Sequence, residues 1–201
     1  MGHSADQNGD ERAAVERYLA GDAEGFRALF RMHSPRLLRI AIGAGLDRAA
    51  AEDVVQATFL RVHQSRDRID PARPFRPWLV TIALNLVRDG ARQAARHHAR
   101  EDALATRESG RVARPDEVHD ARELGSLLAD RLAGLPEAQR EAVVAVRLGG
   151  LSYPEAAEAL GRSEAAVRQN VHRGLVRLAD AVADEGAVTD GGSRRTGSGS
   201  R

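Results

Sequence analysis

Apolar side chains recur every three or four positions through most of the chain, the spacing of one buried helix face. Nowhere do they alternate with polar residues over a strand-length run. The spacing predicts a short helix over 11–20, and Gly21-Asp22 then opens a second with Asp22 as N-cap. Phe26, Leu29, Phe30, Leu37, Ile40 and Ala41 mark the inner face of this second helix. Pro35 is a point where it can bend, and Gly43 and Gly45 end it. Asp47 caps a third helix, 48–64, with Val54, Val55, Thr58, Phe59 and Val62 as its stripe. Asp70-Pro71 and Pro74 signal a loop. A fourth helix over 75–97 buries Phe75, Trp78, Leu79, Ile82, Leu86 and Val87 and turns Arg76, Arg88, Arg92 and Arg96 the other way.

The periodicity lapses after residue 98 and resumes with Leu124, Leu127, Leu128, Leu132 and Leu135. Pro136 opens the next helix at a position where a missing N–H costs nothing, and Gly149-Gly150 stops it. Ser152-Tyr153-Pro154-Glu155 has the form of a capping box, with Ala156, Ala157 and Leu160 inward on the short helix that follows. Gly161 supplies a turn needing positive φ, and Ser163 caps a last helix to about 183. On that helix Val167, Val171, Leu175 and Leu178 point inward, while Arg162, Ser163, Glu164, Arg168, Gln169, His172 and Arg173 crowd the outer face near its start. This is the pattern of a helix-turn-helix whose second helix enters a major groove N-terminus first. Arg can pair with guanine, Gln with adenine, and Glu can accept from cytosine. A helical hairpin with a solvated polar face has the same pattern.

The expected fold is therefore all-α: two small helical domains joined by a flexible linker, the second with a helix-turn-helix. The expected bounds are an unstructured 1–10, a first domain over 11–98, a linker over 99–117, a second domain over 118–184 and an unstructured tail over 185–201. Ala-, Leu-, Arg- and Glu-rich composition with 3% aromatics suits helices. There is no cysteine, so disulfides and thiolate metal sites are excluded. No apolar run approaches the roughly 20 residues of a membrane span, and the polar N-terminus is no signal peptide, so a cytoplasmic protein without membrane insertion is expected.

The net charge of +1 conceals blocks. Residues 61–100 carry nine Arg against three acids, 101–160 seven against twelve, and 161–179 four against one. Two basic segments flanking an acidic one point to two contact surfaces for a polyanion, although charge blocks also arise as solvated helix faces. All 30 basic residues are Arg, which ordinary GC-rich codon usage accounts for.

In the first half, Ala51-Glu52-Asp53 with Gln56, Phe59 and Leu60, then Phe75, Trp78-Leu79, Ile82, Asn85, Asp89 and Arg92, resemble region 2 of extracytoplasmic-function sigma factors. In the second half, Leu135-Pro136 with Arg140, Gly150-Leu151-Ser152-Tyr153 with Glu155 and Ala157, Leu160-Gly161 with Ser163, and Val167 with Arg173 are similar to region 4. The resemblance implies a protein without catalytic residues, metal or cofactor that binds core RNA polymerase and promoter DNA and is held by an anti-sigma factor. It implies polymerase contact through Glu52, Asp53, Gln56, Phe59 and Leu60. It implies capture of the melted −10 element by Arg73, Arg76, Trp78, Asn85, Arg88 and Arg92. Trapping unpaired bases needs a pocket and phosphate contacts, which a loop beside an Arg-rich helix can supply. The −35 element would be read as duplex by Arg162, Ser163, Glu164, Arg168, Gln169, His172 and Arg173. The chain departs from the family pattern at His63, at Gly90 inside a helix, and at Asn170 and Leu175.

Two other classes stand beside this one. A stand-alone helix-turn-helix regulator binding an operator as a dimer needs a dimerisation surface, and no heptad seam or sensor motif is present. An enzyme acting on nucleic acid needs a catalytic constellation. The seven His are scattered, the adjacent His97 and His98 face different sides of a helix, and no HExxH or phosphate-loop pattern occurs.

Overall fold

The computed structural model describes residues 3–102 and 129–190, with side chains over 9–93 and 129–183. The described residues form helices without strands: α1 (His3–Leu19), α2 (Ala23–Gly43), α3 (Arg48–Gln64), a 3-10 turn (Arg66–Arg68) and α4 (Phe75–Asp102). A helical stretch at 129–133 leads into α5 (Glu137–Val143), which runs on through a π-helical turn, Val144–Leu148. Then come α6 (Tyr153–Leu160) and α7 (Glu164–Asp190).

Helix starts follow their caps. Asp22 Oδ1 accepts from the Glu24 N–H at 2.8 Å, and Asp47 Oδ1 from the Ala50 N–H at 2.9 Å. Each satisfies a donor with no intrahelical partner. Pro35 is accommodated inside α2. The expected unstructured 1–10 is corrected: α1 already begins at His3. Likewise α4 extends past 97 to Asp102 and α7 past 183 to Asp190, so helix enters the expected linker and tail. The rest of both, at 103–128 and 191–201, lies outside the described residues.

Ala14, Val15 and Tyr18 of α1 are buried against α2. The two helices meet at Gly25, where a Cβ would strike the Tyr18 nitrogen and lie 2.8 Å from the Ala14 oxygen. Leu29, Leu37 and Ile40 of α2, Val55, Phe59 and Val62 of α3, and Leu79, Val80 and Ala83 of α4 complete the first core. Fully burying each of the Leu, Ile, Val and Phe side chains stabilises by about 1.5–3 kcal/mol before ordering costs. The second unit packs α5 and α6 against α7 through Ala142, Ala156, Leu160, Val167 and Val171. Val167 and Val171 are buried and Leu175 and Leu178 partly so, the stripe expected of α7.

The two units are packed on each other. Their apolar residues form one cluster in which Val80 and Leu84 of α4 join Val144, Leu151 and Leu160. Close approach needs small residues on both sides. A Cβ on Gly43 would meet Leu132 at 3.3 Å and Val144 at 3.5 Å, and one on Gly149 would meet Val80 at 2.9 Å.

Candidate nucleic-acid and polymerase interfaces

The helix-turn-helix is built by local chemistry. Ser152 N–H donates to Glu155 Oε2 at 2.7 Å, and the Ser152 hydroxyl accepts from the Glu155 N–H at 3.4 Å, closing the capping box. Gly161 adopts φ 62°, ψ 39°, the left-handed region, and turns the chain between α6 and α7. Ser163 Oγ accepts from the Ala166 N–H at 3.2 Å, capping α7.

Of the residues expected on the duplex-reading face, Ser163, Glu164, Arg168, Gln169, His172 and Arg173 are exposed, four of them on consecutive turns. Arg168 ion-pairs with Glu164 at 2.5 Å and lies 4.4 Å from the centroid of the Tyr153 ring, so α6 supplies a platform for a side chain of α7. Tyr153 had been read as part of the capping box and of the region 4 resemblance, with no role beside Arg168.

Arg162 departs from expectation. It does not face outward with the others but donates through Nη2 to Glu141 Oε2 at 2.8 Å. The other oxygen of that carboxylate accepts from Arg88 Nε at 2.8 Å. Arg88 also donates to the carbonyls of Leu160 at 3.1 Å and Ala159 at 3.4 Å, the free C-terminal carbonyls of α6. Glu141 is 13% exposed, Arg88 23% and Arg162 30%. Arg88, expected on a solvent-facing strip with Arg92, is therefore a bridge between the units. Helical spacing assigns a side chain to a face but does not say what will cover that face.

The other residues expected at melted DNA fall into two groups. Arg73, Asn85 and Arg92 are exposed. Arg76 and Trp78 are half-buried, with the Trp78 ring 5.7 Å from Phe75. Trp78 and Arg73 line a groove of about 500 Å³ together with Arg68, Asp70 and Pro74. Glu155 and Glu158 of α6 form its opposite wall. Asn85 is not among the residues lining that groove. Arg36, which sequence reasoning passed over, donates to the Gly149 carbonyl at 3.1 Å. Its affinity for its proton is lowered first by burial and then by the neighbouring Arg76 and Arg39 cations.

On α3, Glu52, Asp53, Gln56 and Leu60 are exposed along one side, Leu60 at 57%. Phe59 is core, as its place in the apolar stripe predicted, and its part in the polymerase contact is corrected: it is 3% exposed, with the Phe26 and Phe30 rings 5.7 and 4.8 Å away. The exposed apolar atoms there come from Leu60 and from Phe30 of α2, which is 38% exposed. Phe30 had been read as part of the inner face of α2; its ring packs on Phe59 at 4.8 Å and is 38% exposed.

Among the described residues, no group of three or more His, Asp or Glu is placed to hold a metal ion, and no helix is long and apolar enough to cross a membrane.

Comparison with known proteins divides the chain in the same way. The family Sigma-70 region 2 matches residues 29–97, and Sigma-70, region 4 matches 126–178. RNA polymerase sigma factor CarQ of Myxococcus xanthus is 38% identical over 173 residues, 85% of this chain and 96% of CarQ. ECF RNA polymerase sigma factor SigL of Mycobacterium tuberculosis is 37% identical over 163 residues, 80% of this chain and 90% of SigL. Among solved structures, that of CnrH in complex with the cytosolic domain of CnrY aligns at a TM-score of 0.63 and 29% identity, covering 92% of this chain and 99% of CnrH.

Proposed function

The chain belongs to the sigma-70 family of RNA polymerase sigma factors, in its extracytoplasmic-function branch, and from that premise we propose how its surfaces divide the work of a factor that directs polymerase to promoters. The observation that carries the functional assignment is the pairing of both regions, in order, on a chain alignable with nearly all of CarQ. A helix-turn-helix alone is common to many regulators; the pairing is not, and it disfavours the operator-binding dimer.

In this assignment α3 docks on core RNA polymerase through Glu52, Asp53, Gln56 and Leu60, with Phe30 enlarging the apolar centre and the acids forming a polar rim. The groove beside Arg73 and Trp78 takes an unpaired base of the melted −10 element. Arg76 and Arg92 lie on the same helix as Trp78, where their charge can hold the strand by its phosphates. Asn85, exposed on α4, is assigned to a base edge outside the groove. Arg168, Gln169, His172 and Arg173 enter the major groove of the −35 element, with Ser163 and Glu164 at the helix start. Arg88 and Arg162 join these contacts only after leaving Glu141. The chain performs no bond chemistry of its own and works in the cytoplasm, where the polymerase is. An anti-sigma factor is a natural partner, since the similar CnrH is found with CnrY. The proposed partition places the first functional unit over 11–98 and the second over 118–184.

Run-off transcription with purified core polymerase tests this directly. Adding the chain should produce initiation at discrete promoters that core alone does not use, and Leu60→Glu should abolish it by weakening capture of the core. Initiation no different from core alone would defeat the assignment.

A further inference from the structure

The contact between the two units has a charge logic that apolar packing does not require. The second unit turns Glu141 of α5 and Glu155 and Glu158 of α6 toward the first. What they meet is the surface assigned above to melted DNA. Glu141 grips Arg88, and Glu155 and Glu158 wall the groove that Arg68, Arg73 and Trp78 line. Glu141 holds Arg162 of the turn with its second oxygen, so one carboxylate occupies a candidate contact for each promoter element. A carboxylate accepting from two guanidinium groups makes the same charge-assisted hydrogen bonds as a phosphodiester would.

We propose that the acidic face of α5 and α6 is an internal surrogate for the promoter strand: in a closed form it holds Arg88 and walls one side of the Trp78 groove, and single-stranded DNA competes with it. The proposal rests on the assignment of that surface to melted DNA. In the closed form the polymerase-facing residues Glu52, Asp53, Gln56 and Leu60 stay exposed, as do Arg168, Gln169, His172 and Arg173. Closure therefore engages Arg88 and narrows access to the Trp78 groove, while docking and duplex reading stay accessible. The chain can find polymerase closed, and nucleic acid in the bubble takes the place of the carboxylates. Because the two occupants exclude each other, whatever loosens closure tightens strand binding by a related factor. A closed form outnumbering the open one tenfold raises the apparent dissociation constant for the strand about tenfold.

The test uses the full chain, which contains no cysteine, so Gln64→Cys and Arg177→Cys place one dye on each unit without background labelling. Both positions are exposed. The closed form predicts efficient energy transfer in the free protein, falling as a twelve-nucleotide single strand is added. Glu141→Gln should lower the transfer and tighten strand binding three- to tenfold. Glu158→Arg, an exposed change that spares the core, should act in the same direction by setting a cation against Arg68 and Arg73. The surrogate role is overturned if transfer in the free protein is low and indifferent to both substitutions, or if both variants bind the strand no more tightly than the parent. Run-off transcription by the same proteins separates the two levels. Closure that responds as expected in a chain that never supports initiation sinks the sigma-factor assignment, and the reverse pattern sinks the surrogate.

Discussion

Replacing Gly161 with Ala isolates the cost of a single backbone angle in the helix-turn-helix. Gly161 sits at φ 62°, ψ 39°, and a Cβ built on it has no heavy atom within 4 Å. Crowding by neighbours therefore contributes nothing, and the penalty is the local one between Cβ and its own backbone, about 1–2 kcal/mol for an L-residue in the left-handed region. Ala also removes conformational freedom from the unfolded chain, which offsets about 0.4–1 kcal/mol. The net expectation is a loss of about 1 kcal/mol, roughly a fivefold rise in the unfolding constant. Urea unfolding of the full chain followed by helical circular dichroism measures it. Gly161→Asn should recover much of the loss, because Asn tolerates this region. Duplex binding by the folded protein should be unchanged, since α6 and α7 keep their angle. The reasoning fails if Gly161→Ala is as stable as the parent, or if Asn costs as much as Ala.

Gly25→Ala should be more damaging, at the top of the 1–3 kcal/mol range for overpacking, because its Cβ meets backbone of α1 that cannot rotate away; a denaturation midpoint near that of the parent would contradict the close α1–α2 contact. Asp22 carries a carboxyl whose pKa is lowered, first by the Glu24 N–H and then by Arg17. A depressed pKa stabilises the fold above the ordinary carboxylate value and loses that contribution as pH falls through the lowered one. The acid limb of the stability profile should therefore flatten in Asp22→Asn while stability at neutral pH changes little, because Asn still caps. Tyr153→Ala should weaken binding to duplex carrying the upstream element by removing the ring that orients Arg168, and Tyr153→Phe should restore it; equal weakening by both would point away from the ring face.

What the sequence revealed and what it hid divide along a physical line. Asp22, Asp47, Ser152 with Glu155, and Gly161 were readable because a cap or a turn is decided within four residues. The stripe from Val167 to Leu178 was readable because helical period is local too. Phe59 was placed in the buried stripe of α3 by its period, and only its part in the polymerase contact fails, because the Phe26 and Phe30 rings of α2 pack against it. Arg88 and Arg162 were misplaced for the same reason: their partner, Glu141, is 53 residues from one and 21 from the other. The acidic block over 101–160 did hold a signal. Opposite charge in the second unit could have been set against the basic helix of the first, instead of being left to solvent.

The contact that hides these arginines also explains why release should be tied to a macromolecular partner. Separating the units costs the ion pairs, which nucleic-acid phosphates can replace. It also bares apolar surface around Gly43, Val80, Leu132, Val144 and Gly149, which phosphates cannot cover. DNA alone thus compensates the polar half of the opening cost, and it opens the chain against the uncompensated apolar half. A protein surface that covers the flanks of α2 or α5 supplies the remainder, and either polymerase or an anti-sigma factor can provide one. The first would hold the units apart with the arginines free for DNA. The second would stabilise an arrangement in which they stay paired. On this argument the affinity of the open chain for core polymerase and for single-stranded DNA must be positively coupled, each ligand removing part of the cost that the other would otherwise meet.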